Sequence, residues 1–465
     1  MGQALLSVDR HQWRRFHVPA HAGQLWANTD NPILSDPYRY DLTELDGLDV
    51  LSEPSDSLLE AQRQVADLFG AAQSFFLVNG ASAGLLAAML TAVRPGDKVL
   101  LPRNVHRAVL SSLILTGAEP IWFLPERLPD WGLWGAVSVE QVRRLLDIHP
   151  DIRALVVTSP TYEGIGSDIA ALVQLCRQYD VLLIVDEAHG SLWPFSERLP
   201  ASAVQAGADA VIHSIHKSGG CLTQGALAHL PSGSRLEPAA FQQALNMVQT
   251  TSPSYLLMAD LERACHFLAS KPGQVRLDQL FEHIDVIRQK LAPSLNHLKL
   301  FEPTDTQQYA RWDPAKLYWS HPNSPGDVWG DLFEKALHIA YESASPYGVL
   351  YLANLGLEAS DFDAFAHAFR SGESQIEIEM TEFGLSLQAC LEKKNPAILL
   401  PEMAITPREA FFTLGEKIPC KSAPGRIAKE TVVHCPPGIP VLLPGEIIHP
   451  LHIPFLPEKG IWVVR

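Results

Sequence analysis

No two cysteines stand in C-x-x-C spacing: the six in the chain, Cys176, Cys221, Cys265, Cys390, Cys420 and Cys435, are scattered over 465 residues. That excludes a disulfide framework and a zinc ribbon, and fits reduced structural cysteine in a cytoplasm. No run of five Lys or Arg occurs, and 36 basic against 52 acidic residues leave a formal charge of −16. A nucleic-acid backbone would find no electrostatic footprint here. No stretch approaches the ~18 uncharged apolar residues of a membrane helix. The N-terminal MGQALLSVDRHQWRRF is broken by Asp9, Arg10, Arg14 and Arg15 before the core of a signal peptide can form. The expectation is a soluble protein with no nucleic-acid or membrane partner. Neither G-x-x-x-x-G-K-[ST] nor G-x-G-x-x-G is present, which disfavours nucleoside triphosphates and NAD. His434, His449 and His452 cluster late without an H-E-x-x-H pair, so no metal site is expected.

With 47% hydrophobic residues, a chain of this length builds two or three domains without covalent staples. From residue 58 short apolar runs alternate with segments of helical period, the pattern of α/β units around a mainly parallel sheet. Strands are expected at Ser74–Val78, Lys98–Leu101, Pro120–Phe123, Ala154–Thr158, Val181–Val185 and Ala210–His213, and helices at Leu58–Phe69, Asn104–Thr116 and Ser167–Tyr179. Prolines between residues 303 and 325 mark a change of character. Beyond it Lys316–Ser320, Val349–Leu352 and Ile376–Met380 read as strands and Asp361–Phe369 as a helix. The division expected is an N-terminal segment 1–57, a large α/β domain 58–295 and a smaller α+β domain 296–465.

Three groups fall at expected strand ends, where open α/β sheets bind ligands. Lys217, in His213-Ser214-Ile215-His216-Lys217-Ser218-Gly219-Gly220, carries an amine able to form a Schiff base, with Ser214 and His216 as donors for a phosphate. Asp186 leaves an apolar strand, and a buried carboxylate there needs a positive partner, such as a protonated pyridine nitrogen. Gly80-Ala81-Ser82-Ala83-Gly84 opens a helix with backbone N–H groups and a hydroxyl suited to a phosphate. Each has a plainer reading alone: an exposed lysine, a helix N-cap, a structural turn. Their order along one sheet is far more specific than any one of them.

That order resembles the fold-type I, aspartate aminotransferase-like enzymes of pyridoxal 5'-phosphate (PLP). The motifs FHVPAHAG from Phe16, DLTELDGLD from Asp41, FFLVNGASAG from Phe75, LPRNVHRAV from Leu101, SPTYEG from Ser159, VDEAHG from Val185, SIHKSGG from Ser214, TTSPSYLLMADL from Thr250 and CPPGIPVLLPGE from Cys435 resemble the ornithine/lysine/arginine decarboxylases. The likeness is to the short bacterial type, without the N-terminal wing domain of the large inducible enzymes. It implies that Lys217 holds the cofactor aldehyde, that Asp186 pairs with the pyridine nitrogen, and that Ala188 and His106 cover the two ring faces. Ser82, Ala83, Ser214 and His216 would hold the phosphate, with Thr250 or Thr251 reaching the partner subunit's phosphate. His189 and Thr161 would line the pocket, and His216 or Lys217 would return a proton to the α-carbon. Where the family usually reads Pro-Gly-His-Lys-Gly, this chain has Pro19-Ala20-His21-Ala22-Gly23, a departure that bears on substrate choice.

The distal cation of a basic substrate needs acidic partners, and Glu446 and Glu379 are the candidates, with Arg426 available to a carboxylate. The function implied is PLP-dependent decarboxylation of arginine or lysine, less readily ornithine, to the amine and CO2 in a homodimer or dimer of dimers. Two alternatives stay open: another PLP reaction on the same fold, such as an aminotransferase or aldolase, and a catalytically inert regulatory relative.

Overall fold

The computed structural model describes residues 13–24, 32–303, 311–383, 400–434 and 439–465. Cys390 and Cys435 lie outside the described residues, as do the side chains of Glu379 and His434.

Helix α1 (Ser57–Phe69) leads into strand β1 (Gln73–Leu77), helix α2 (Gly80–Ala92), β2 (Lys98–Pro102), α3 (Arg107–Thr116) and β3 (Glu119–Phe123). Strands β4 (Ile152–Thr158), β5 (Leu182–Asp186), β6 (Ala210–His213) and β7 (Ala226–Leu230) complete a seven-stranded sheet of order β1-β7-β6-β5-β4-β2-β3. Only β7, which the sequence pattern did not announce, runs against the rest. Neighbouring side chains of each central strand enter opposite cores. Val156, Ile184 and Ile212 pack beneath α2 and α3, while Val157, Val185 and Val211 pack against the helix Ile169–Gln178. The strands are apolar on both faces because both faces carry helices. The acid of the central strands, Asp186, accordingly sits at a strand end.

A second sheet, wholly antiparallel, is built from β8 (Lys299–Leu300), β9 (Lys316–Ser320), β10 (Ser343–Ser345) and β11 (Gly348–Leu352) in the order β8-β9-β11-β10. The N-terminal strand Arg14–Phe16 lies parallel to Ile339–Tyr341. The division expected at 295/296 falls just before β8. One core runs across it, joining Phe69, Leu261 and Phe281 to Trp319, Tyr351 and Phe365.

The expected strand Ile376–Met380 is corrected: the helix Ala359–Phe383 runs through it. Alternating Ile376, Ile378 and Met380 imitates a strand. Yet buried Phe362, Phe365, Phe369 and Ile376 recur at helical spacing along the same segment.

In the C-terminal region, Gly415–Ile418 pairs with Ile461–Val464, and Val432–His434 with Ile439–Leu442. This region is fastened to the main sheet by Arg103, the residue after β2. Its guanidinium meets Glu446 with Nη1–Oε1 at 2.5 Å and Nη2–Oε2 at 2.8 Å, donates to the Pro440 and Val441 carbonyls at 3.2 Å each, and lies 5.1 Å from the Trp122 ring. Arg103 is 1% exposed and Glu446 0%. Removing one member of such a pair strands the other charge without water. Glu446→Ala should lower unfolding stability by about 3–5 kcal/mol in urea titration; a loss below about 1 kcal/mol, the worth of a surface pair, would contradict the clasp.

Candidate active site

Strands β5 and β6 end side by side, and a buried brace fixes them there. The Glu187 carboxylate pairs with His213 Nε2 at 2.6 Å, accepts the Ser202 hydroxyl, and accepts the Ala203 N–H at 2.9 Å. Its neighbour Asp186, 3% exposed, closes β5 and accepts the Ala188 N–H at 3.2 Å. Beyond β6, buried Ser214 turns the chain into a single helical turn, Ile215–Ser218, and this turn carries Lys217. Lys217 thus stands on a turn past the strand end, adjacent to Asp186 across the sheet edge. Ala188 is buried in the same stretch.

Lys217 Nζ lies 2.9 Å from His189 Nε2. His189 is buried, its ring meets Tyr162 edge-on at 4.6 Å, and its Nδ1 finds no partner among the described residues. Burial, seconded by the Lys217 charge, holds His189 well below its ordinary pKa of 6.5. Burial also lowers the Lys217 ammonium, opposed by the fields of Asp186 and Glu342 and assisted by that of Lys316. His106 caps α3, its Nδ1 accepting the Ala108 N–H at 3.2 Å; desolvation lowers its pKa, and it feels both Asp186 and Lys217. As a whole residue His106 remains accessible to solvent. His216 turns Nδ1 to the Gly225 carbonyl at 3.1 Å, and its own carbonyl accepts the Ala20 N–H at 2.9 Å, which brings the N-terminal motif to the lysine. Thr161 is spent internally, its hydroxyl accepting the Ile165 N–H at 3.2 Å.

The Gly-rich segment is the first turn of α2 rather than a loop before it. Gly80 begins the helix at φ +74°, a value that favours glycine. Gly84 lets the helix sit on the sheet, since a Cβ there would come within 2.7 Å of Leu77 Cδ1 and 3.0 Å of Ile212 Cδ1. Ser82 and Ala83 therefore lie in the first turn, whose amide donors have no intrahelical acceptor and face the positive end of the helix dipole. Asn79, ahead of that turn, accepts the exposed Thr250 N–H at 3.4 Å, so Thr250 stands beside the cradle of its own chain. The arrangement offers an amine of lowered basicity, a buried acid on the adjacent strand, an anion cradle, and the nearby imidazoles of His189 and His106.

The acids and the arginine chosen from sequence for the substrate are not brought together there. Glu446 is not a free carboxylate: both its oxygens are engaged by Arg103, and one also accepts the Leu443 N–H at 2.8 Å. Arg426 pairs with Glu416 at 2.8 Å and donates to the Val464 carbonyl at 2.9 Å, a structural role. Glu379 is on the long helix, and its side chain lies outside the described residues. Sequence reasoning missed Tyr162, Lys316 and Glu342. Tyr162 lies inside the quoted SPTYEG motif, whereas nothing local to Lys316 or Glu342 marked them. No group of His, Cys, Asp and Glu able to hold a metal occurs among the described residues.

The sequence model of the family described as "Orn/Lys/Arg decarboxylase, major domain" matches residues 2–342, and that of "Orn/Lys/Arg decarboxylase, C-terminal domain" matches residues 389–456. The arginine decarboxylase of Bacillus subtilis is 33% identical over 455 residues, covering 95% of this chain and 89% of that protein. The lysine decarboxylase LdcA of Pseudomonas aeruginosa is 24% identical, covering 93% of this chain and 71% of the relative. The constitutive lysine decarboxylase structure of Escherichia coli superposes with a TM-score of 0.77 at 20% identity, over all of this chain and 81% of the other, a likeness of fold.

Because His189 is kept neutral, the folded chain refuses a proton that the unfolded chain accepts below about pH 6.5. Its contribution to stability is complete above that pH and is lost as the pH falls toward the depressed folded value, by about 1.4 kcal/mol per pH unit. His189→Gln should flatten the stability profile below pH 6.5 by that slope in urea unfolding; an unchanged profile would contradict a neutral His189.

Proposed function

Since the chain belongs to the Orn/Lys/Arg decarboxylase family, we propose that it decarboxylates a basic L-amino acid with PLP, arginine before lysine and lysine before ornithine. The observation that carries this reading is the lysine of lowered basicity at the end of β6, held 2.9 Å from His189, with buried Asp186 closing the neighbouring strand. Arginine comes first because the 33% relative is an arginine decarboxylase, whereas the lysine decarboxylase relative stands at 24%.

The residues present fit the cofactor. The first turn of α2 with Ser82 and Ala83, supported by Ser214 and His216, suits its phosphate, and Asp186 suits a protonated ring nitrogen. His106 and Ala188 would flank the ring, while the unpartnered His189 Nδ1 is a polar atom that the described chain leaves unsatisfied. When bound, PLP supplies the electron sink that lets the bond to CO2 break. The chain's own residues do the rest. Burial lowers the basicity of Lys217 Nζ, which makes the amine a readier nucleophile than a lysine in water. His189 Nε2, 2.9 Å away, orients Nζ, and Lys217 or His216 returns a proton to the substrate carbon. Asp186, fixed by the Ala188 N–H and the Glu187 brace beside it, holds its carboxylate at the end of β5.

We further propose a homodimer in a reducing cytoplasm. Cys176, Cys221, Cys265 and Cys420 carry no disulfide, and no helix among the described residues is long and apolar enough to cross a membrane. Exposed Thr250 beside the cradle leaves room for a second subunit.

Incubating the protein and PLP with arginine, lysine and ornithine should release CO2 in equal amount to the matching amine, arginine giving the highest kcat/KM. Lys217→Ala should lose both the reaction and the visible absorbance band that appears on adding PLP. Amine transfer dependent on a keto acid without CO2 would favour an aminotransferase, and no band with any addition would favour an inert relative.

A further inference from the structure

We propose that the C-terminal region sets the placement of the His106 ring against the cofactor, with Arg408 and Glu446 as the positioning residues, an inference that rests on the cofactor reading above. His106 is the N-cap of α3. Its Nδ1 accepts the Ala108 N–H at 3.2 Å and its carbonyl accepts the Val109 N–H at 2.9 Å, so the ring travels with the first turn of that helix. Whatever places α3 places the ring.

Both ends of α3 are held from the C-terminal region. Ahead of its N-terminus, Arg103 is engaged by Glu446 and by the Pro440 and Val441 carbonyls. At its C-terminus, the carbonyls of Ile114 and Leu115 are among the four that a helix cannot satisfy internally, and Arg408 Nη1 donates to them at 3.1 and 2.7 Å. A cation there also complements the negative end of the helix dipole. The Arg408 stem lies over the glycine that ends the helix: Gly117 turns at φ +73°, and a Cβ on it would come within 3.2 Å of Arg408 Cδ. Between the two ends, buried Leu443 shares a core with Val105, Val109 and Leu113.

Arg408 and Glu446 belong to two segments that are stitched together. The Glu402 carbonyl accepts the Ile447 N–H at 2.9 Å, the Gly445 carbonyl accepts the Ala404 N–H at 2.9 Å, and Met403 pairs with Glu446 as an isolated bridge. Thr406 and Glu409 then cap the short helix Pro407–Phe412 reciprocally, which fixes where Arg408 starts. A helix of ten residues is about 15 Å long and stiff, so a grip at its far end reaches the N-cap. Among the described residues neither Arg408 nor Glu446 makes a hydrogen bond to Lys217, Asp186 or His189. Both act through the helix.

The test uses the full chain, without and with PLP. Arg408 is exposed, and Arg408→Ala removes the grip on the end of α3 while leaving Glu446 in place. Amide hydrogen exchange at Ala108 and Val109 should quicken about threefold to tenfold in the cofactor-free protein, the worth of a hydrogen bond. The PLP dissociation constant should rise by a similar factor, and the visible circular dichroism of bound PLP should fall. In a His106→Ala background the same substitution should change neither PLP affinity nor dichroism further, because the ring through which it acts is gone. Arg408→Lys, which keeps the cation, should recover part of the loss, and it serves where the Ala variant does not fold. Glu416→Gln, which loosens the Arg426 pair in the same region, should leave both readouts at wild-type values. Unchanged exchange at Ala108 in Arg408→Ala would overturn the proposal. So would equal losses of PLP affinity with and without His106, the mark of a structural role. If the wild type takes up no PLP, the cofactor reading falls and this inference with it; a normal PLP band with unaltered exchange overturns this inference alone.

Discussion

A lysine pressed into an apolar fold cannot hold its proton as it does in water, and most of the site follows from that constraint. Lys217 is desolvated on the turn after β6, and three groups set its state: Asp186 and Glu342 favour the ammonium, and Lys316 disfavours it. His189 completes the setting at 2.9 Å as a neutral imidazole, since burial keeps it from charging. An amine in that balance gives up its proton more readily than a surface lysine does.

The sheet makes the balance possible. Strands buried on both faces leave no room for charge along their length, so Asp186 and the Lys217 turn emerge together at one edge. The Glu187–His213 pair ties the ends of β5 and β6 together, and the Arg103–Glu446 clasp holds the C-terminal region against the end of β2, three residues before His106. The first is a buried hydrogen-bonded contact and the second a buried ion pair, and the worth of both lies in fixing geometry rather than in adding stability.

Much of this was legible in the sequence, and the reasons differ by residue. Periodicity gave β2 to β6 to within two residues, because apolar runs bounded by glycine and proline have few other outcomes. Asp186, Lys217 and Ser82 stood out because their chemistry sits at strand ends or a helix start. The strand at Ile376–Met380 misled because alternation over five residues fits a helix face equally well. Glu446 and Arg426 misled for another reason: a charge in a motif does not reveal whether a partner already holds it, and Arg103 lies 343 residues away in the chain. Glu342, Tyr162 and Lys316 meet only through the pairing of distant segments, which no local pattern records.

The central claim is that Lys217, and not the other buried lysine near it, is the amine that takes the cofactor. Reducing the PLP-treated protein with borohydride and mapping the peptides by mass spectrometry tests this directly. One pyridoxyl group on Lys217 is the result expected; a group on Lys316, or none on either, would contradict it.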